Sequence, residues 1–151
     1  MAISTAAGCK IYIGTTEAVS SPDDLLEIGE VTNFSEFGRV YQLITHQSIG
    51  TRGDRKYKGS YNDGAITLQL GRDTSDTGQA ACIVARDADE DYNFKIMLND
   101  DTVASPTPTI FQFMGKVMSY TVNIGSANQI IGATMMIEIK SGSITETPQG
   151  G

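Results

Sequence analysis

Histidine, cysteine and clustered carboxylates are the usual raw material of catalysis, and this chain holds few of them in useful company. Its single histidine, His46, falls in a strand-like run with no elbow-type serine or cysteine beside it. A hydrolase built on Ser-His or Cys-His would need it as base; its context reads instead as a structural histidine with its hydrogen bonds satisfied. Cys9 and Cys82 form no Cys-x-x-Cys pair and no metal spacing, so two buried free thiols are expected, one in a strand and one in a helix. The acidic run Asp87, Asp89, Glu90, Asp91 invites a calcium reading. An EF-hand loop needs glycine at its sixth position, where Tyr92 stands, so a solvated helix-to-strand connection is the better reading. Arg52-Gly53-Asp54 is an integrin-type tripeptide, a match that chance produces often. No phosphate-binding loop or dinucleotide fingerprint is present. A carboxylate pair for glycoside hydrolysis stays open on sequence alone, although aromatics make up only 7% of the chain and tryptophan is absent, which disfavours a sugar cleft. The expectation is a non-enzyme with no cofactor and no metal.

Any site must be positioned by strands, because strands dominate the pattern. The chain has 151 residues, 40% hydrophobic and 19% charged, which suits one globular domain over 1–151 with a sizeable core. Sixteen glycines suit a turn-rich β protein. A formal net charge of −7 disfavours gripping duplex DNA, which needs clustered Lys and Arg. The first residues lack a positive n-region and an apolar h-region, and no run approaches a membrane span, so neither a secretory precursor nor a membrane partner is indicated.

Alternation places the strands. Short runs at 10–14, 25–31 and 40–47 are followed by a polar, glycine-rich stretch at about 48–64. That stretch carries Arg52, Asp54, Arg55, Lys56, Tyr57, Lys58 and Tyr61 and reads as one long loop. Ile66, Leu68 and Leu70 share a face in the next strand, as do Tyr92, Phe94, Ile96 and Leu98 further on. Between them 75–88 is the one good helix: Asp73, Ser75 or Asp76 can cap its start, Asp76 and Gln79 are spaced as a capping box, and Ala80, Ile83, Val84 and Ala88 form its apolar stripe. Residues 20–24 read as a turn, and 144–151 as a frayed tail.

The longest signal is a hairpin over 109–140. Two apolar-rich runs flank Gly125-Ser126-Ala127-Asn128, a turn needing positive φ. In the second run Ile131, Ala133, Met135, Ile137 and Ile139 form a core face, and Ile130, Gly132, Thr134, Met136, Glu138 and Lys140 the opposite one. In the first run the apolar parity switches between Phe113 and Tyr120, which predicts a bulge in 115–119. Strands this long expose long edges, which soluble proteins usually blunt or pair. The fold expected is mainly β (α+β): two packed antiparallel sheets forming a sandwich or partial barrel, with one flanking helix and a long β-hairpin loop.

Several of these runs resemble the major tail tube protein of long-tailed bacteriophages, a family related in architecture to type VI secretion tube proteins. The matching residues are Gly115-Lys116-Val117, Ser119 to Val122, Ala127 to Gln129 and Ala133 to Ile139, with the 61–79 strand-to-helix stretch upstream. The order of elements extends the likeness over most of the chain. The resemblance implies a virion structural protein, assembled in the bacterial host cytoplasm, whose six copies close into a ring. Rings would stack into a tube through which DNA passes without specific binding. It implies tape-measure, tail-terminator and baseplate or tail-tip proteins as further partners. In that setting Arg52, Asp54, Arg55, Lys56, Tyr57, Lys58 and Tyr61 would contact a neighbouring subunit, and Lys116, Thr134, Met136, Glu138 and Lys140 would face the lumen. Ring closure would also pair the open strand edges. Two other classes stay open: a β-sandwich binding module such as an adhesin or receptor-binding domain, which the Arg-Gly-Asp stretch would favour, and an enzyme on a β scaffold, disfavoured by the lack of any base–nucleophile set. Within the tube class a secretion-system tube is the alternative.

Overall fold

Alternation of apolar and polar residues builds one large sheet and buries one of its faces. The computed structural model describes residues 3–17, 25–104 and 106–149, with the side chains of 15–17 left aside. The turn expected at 20–24 lies outside the described residues. The elements are β1 (Lys10–Glu17), β2 (Leu25–Glu27), β3 (Val31–Phe34), β4 (Val40–His46), β5 (Arg55–Asn62), β6 (Ala65–Gly71), α1 (Thr77–Asp87), β7 (Tyr92–Met97), β8 (Ile110–Asn123), β9 (Gly132–Ile139) and β10 (Thr145–Thr147).

There are two antiparallel sheets. The larger runs β2-β1-β7-β8-β9-β6-β3, with β10 also on β8; the smaller is the β4–β5 pair alone. The inward face of the large sheet is the core: Ile11 and Ile13, Tyr92, Phe94 and Ile96, Phe113, Val117 and Tyr120, then Ala133, Met135, Ile137 and Ile139, and finally Ile66, Leu68 and Leu70. Alternation predicts these sets with one exception: Ile131, expected on the core face, lies just before β9 and is 45% exposed. Phe94 and Phe113 stack at 5.4 Å between ring centroids. The parity switch in β8 is a bulge, since its register against β9 shifts between Val117 and Ser119. Gly125 in the connecting turn takes φ 73°.

The outermost strands, β2 and β3, are neighbours in the chain, separated only by residues 28–30. The sheet therefore curls until its two edges meet at one corner, without closing by hydrogen bonds. Gln79 on α1 seals that corner. Its Nε2 donates to Gly29 O at 3.1 Å and Gly71 O at 2.9 Å. Its Oε1 accepts from Arg72 Nη1, Asp73 N and Tyr120 Oη at 3.0–3.1 Å. Asp76 accepts from both Gly29 N and Gln79 N. The Asp76 half of the capping box thus exists, while the Gln79 side chain works across the fold instead of back to its own helix.

Several boundaries differ from the sequence reading. The 25–31 run is two strands, because Glu30 turns the corner at φ 62°. The helix buries Gly78, Gln79, Cys82 and Ala85; of the expected stripe Ile83 and Ala88 pack partly buried against the core, while Ala80 and Val84 are exposed. A Cβ at Gly78 would lie 1.9 Å from Glu27 O; close backbone approach and a polar hub join the apolar packing of Cys82 and Ala85 in orienting this helix. The stretch at 48–64 is no single loop: β5 occupies Arg55–Asn62, paired with β4 from Val40↔Asn62 to His46↔Arg55. The tail at 144–151 is not frayed throughout, since β10 pairs Thr145↔Gln112 through Thr147↔Ile110. The edges of the long hairpin are mostly occupied. β9 is interior, between β8 and β6, and β8 is open on one side only beyond Gly115, where β7 ends. Cys82 is buried, and burial pushes its thiol up to about 12; Cys9 is only half-buried. His46 ends β4 in an exposed position. Among the described residues no helix is long and apolar enough to cross a membrane.

Candidate functional site

The β4–β5 hairpin stands off the body as an arm. Its strands pack chiefly on each other, and every residue of both is exposed except half-buried Gly59. Alternation sets Tyr41, Leu43 and Thr45 on one face with Tyr61, Lys58 and Lys56, and Val40, Ile44 and His46 on the other with Tyr57 and Arg55. Tyr41 and Tyr61 pair at 5.5 Å, and Lys58 Nζ lies 4.9 Å from the Tyr41 ring centre. Leu43 is 66% exposed, Ile44 52% and Ile49, in the turn, fully. An isolated two-stranded hairpin is marginally stable in water, and this one bares aliphatic side chains on both faces. The sequence flagged its basic and tyrosine residues and missed Val40, Leu43, Ile44 and Ile49. The overlooked signal is the pair Leu43-Ile44, two adjacent apolar residues that a strand with a single wet face would not carry.

Charge separates arm from body. Residues 40–62 hold four basic residues and one acidic, a charge of +3; the rest of the chain holds seven basic and seventeen acidic, −10, which together give the −7 of the whole. Arg52 and Asp54 sit in the turn, and Arg55, Lys56, Tyr57, Lys58 and Tyr61 on β5. The Arg-Gly-Asp stretch is therefore at the exposed tip.

The second surface is the outward face of the large sheet. Register places three rows across β6, β9 and β8: Gln69–Thr134–Thr121, Thr67–Met136–Ser119 and Ala65–Glu138–Lys116. Thr134, Met136 and Glu138 point away from the core, as alternation predicts. Lys116 faces Glu138 in register but reaches Asp91 instead, Nζ to Oδ1 at 2.6 Å, and that bond raises its pKa. Its charge is thus compensated from the α1–β7 connection. Lys140 is exposed just past β9. The wall is short, polar and lightly charged. Within the acidic run, Asp87 is held by Arg86 and Asp91 by Lys116, while Asp89 and Glu90 are exposed and carry no ion pair among the described residues. No group of three or more metal-ligating side chains exists among the described residues.

No protein-family model matches the sequence, and no curated protein does. Solved structures match in fold over nearly the whole chain. A sheath/tube terminator of an extracellular contractile injection system is 16% identical with a TM-score of 0.71, covering 96% of each chain. The tube-terminating cap of the anti-feeding prophage gives 16% and 0.71, covering 98% of this chain and 92% of that one. The tail of an empty gene transfer agent particle, refined with C6 symmetry, gives 14% and 0.68, covering 96% and 99%. The SPP1 tail tube gives 12% and 0.67, covering 94% and 78%. The fold is that of phage tail tubes and the tubes of contractile injection systems.

Proposed function

We propose that this chain is the repeating subunit of a phage-type tail tube. Six copies close into a ring, rings stack, and the channel conducts DNA during ejection. The observation that carries this reading is the end-to-end match in fold with tail and tube proteins, in which neither chain leaves a large remainder. The arm supports it. A basic, apolar hairpin on an acidic body suits a head-to-tail contact between identical copies, which closes as a ring or continues as a stack. Arg52, Asp54, Arg55, Lys56, Tyr57, Lys58 and Tyr61 contact the next subunit, with exposed Asp89 and Glu90 as an acidic counterpart. Lys116, Thr134, Met136, Glu138 and Lys140 line the lumen. A largely polar wall of threonine, serine and glutamine, in which Asp91 compensates Lys116 and Glu138 offsets Lys140, lets DNA slide without register. Tape-measure, terminator and baseplate or tail-tip proteins complete the tail of the virion, assembled in the host cytoplasm.

A second reading is a terminator or cap that ends a tube, favoured by the matches to a terminator and a terminating cap. Negative-stain images and sedimentation of the purified protein, over a concentration series at moderate salt, separate the two. Long hollow tubes support the repeating subunit, and single rings that never stack support the cap. A clean monomer at the highest concentration contradicts both.

A further inference from the structure

The arm joins the body at a root built around one buried carboxylate. Asp63, the residue after β5, has no exposed surface. One of its oxygens accepts from Arg39 Nε at 3.0 Å, and the other from the backbone N–H of Gly142 at 2.6 Å. Arg39 immediately precedes β4, and its guanidinium lies 4.2 Å from the Tyr61 ring centre. A single side chain therefore ties both strands of the arm to the turn between β9 and β10. That turn is itself fixed to β8, through Lys140 N to Met114 O and Met114 N to Ser143 Oγ. Gly64, next in the chain, holds φ 76° and accepts from Ile139 N.

A buried carboxylate is a poor source of stability, because desolvation offsets much of what its partners return. An apolar residue would fill the same space. What the carboxylate adds is direction, with two acceptors aimed at two donors on separate segments. We propose that Asp63 is a positioning residue, a latch that holds the arm at one angle to the body and uses the 140–143 turn as its anchor. Its consequence for assembly rests on the tube reading: an arm swinging freely meets its partner less often, so polymerisation depends on the latch.

The test measures arm direction in the dilute monomer and does not need tubes. Spin labels go on Gly53→Cys at the tip and exposed Val84→Cys on α1, in a Cys9→Ser background. The unmutated root should give one narrow distance distribution. Asp63→Asn and Arg39→Ala should each broaden it about twofold or more, while Arg39→Lys, which keeps the cation, should stay narrow. Melting temperatures report folding in parallel. Equal widths in all four proteins overturn the latch. So does broadening in Asp63→Asn that Arg39→Ala fails to reproduce, because loosening would then follow from a damaged core. If the latch variants broaden and the parent protein forms no assembly at any concentration, the latch stands and the tube reading falls.

Discussion

The two hairpins of this protein, β8–β9 and β4–β5, are made of similar β-forming residues and end in opposite situations. In β8–β9 every inward residue from Ala133 to Ile139 is buried, and β9 has a strand on each side. In β4–β5 Leu43, Ile44 and Tyr57 lie open to solvent. One hairpin finds its partner within the chain; the other packs chiefly on itself and leaves its apolar side chains exposed. Exposed apolar clusters often mark contact surfaces, so under the proposed tube reading the contrast separates residues that hold the fold together from residues that would join subunits.

The contrast breaks first under core truncation. Phe94→Ala, beneath the Phe113 stack, should destabilise the subunit by about 3–5 kcal/mol, whereas Leu43→Ala on the arm should cost less than about 0.5 kcal/mol; urea unfolding followed by circular dichroism measures both. Arm loss sharpens it. Replacing residues 41–61 with a short glycine link, with Arg39 and Asp63 kept, should leave a folded monomer that sediments as one species and forms no polymer. Tubes of normal length from this variant would remove the arm from assembly.

The legible part of the fold is the part that alternation controls. Ile66/Leu68/Leu70, Tyr92/Phe94/Ile96 and the bulge before Tyr120 were readable because one face is wet and the other dry. The arm has no dry face, so β5, with its lysines and tyrosines, looked like a loop. The helix stripe is half right: Ile83 and Ala88 pack inward, but Ala80 and Val84 do not, because the inward side is also set by Gly78 and Gln79, whose roles depend on Glu27 and Tyr120, far away in sequence. The outward set Thr134, Met136 and Glu138 followed from parity, but the Lys116–Asp91 pair joins residues 25 apart that no local pattern connects. Asp63 and Arg39 were invisible for the same reason.

Smaller effects probe the outward face. Glu138→Lys should leave rings and tubes intact, because the side chain touches no core residue. A basic ring repeated along the channel should slow DNA delivery, most at low salt; unchanged delivery at low ionic strength would move Glu138 out of the lumen. The smallest effect expected is local. Asp100 accepts from Thr109 N at 2.8 Å and Thr109 Oγ1 at 2.6 Å, and these bonds lower its pKa. A carboxylate depressed on folding stabilises above its unfolded value, near about 4, and that contribution is lost as pH falls through the lower folded value. The protection of the Thr109 amide, its intrinsic exchange rate at each pH divided by the observed rate, should therefore fall below about pH 4 and stay constant above it.

Amide hydrogen exchange of the two hairpins, in dilute monomer and in concentrated assembled protein, tests the central claim most directly. The account predicts that β9 amides are protected equally in both states. Arm amides at 40–62 should exchange fast in the monomer and slow by at least about tenfold on assembly. Arm amides already protected in the dilute monomer, or still fast once the protein has polymerised, would contradict it.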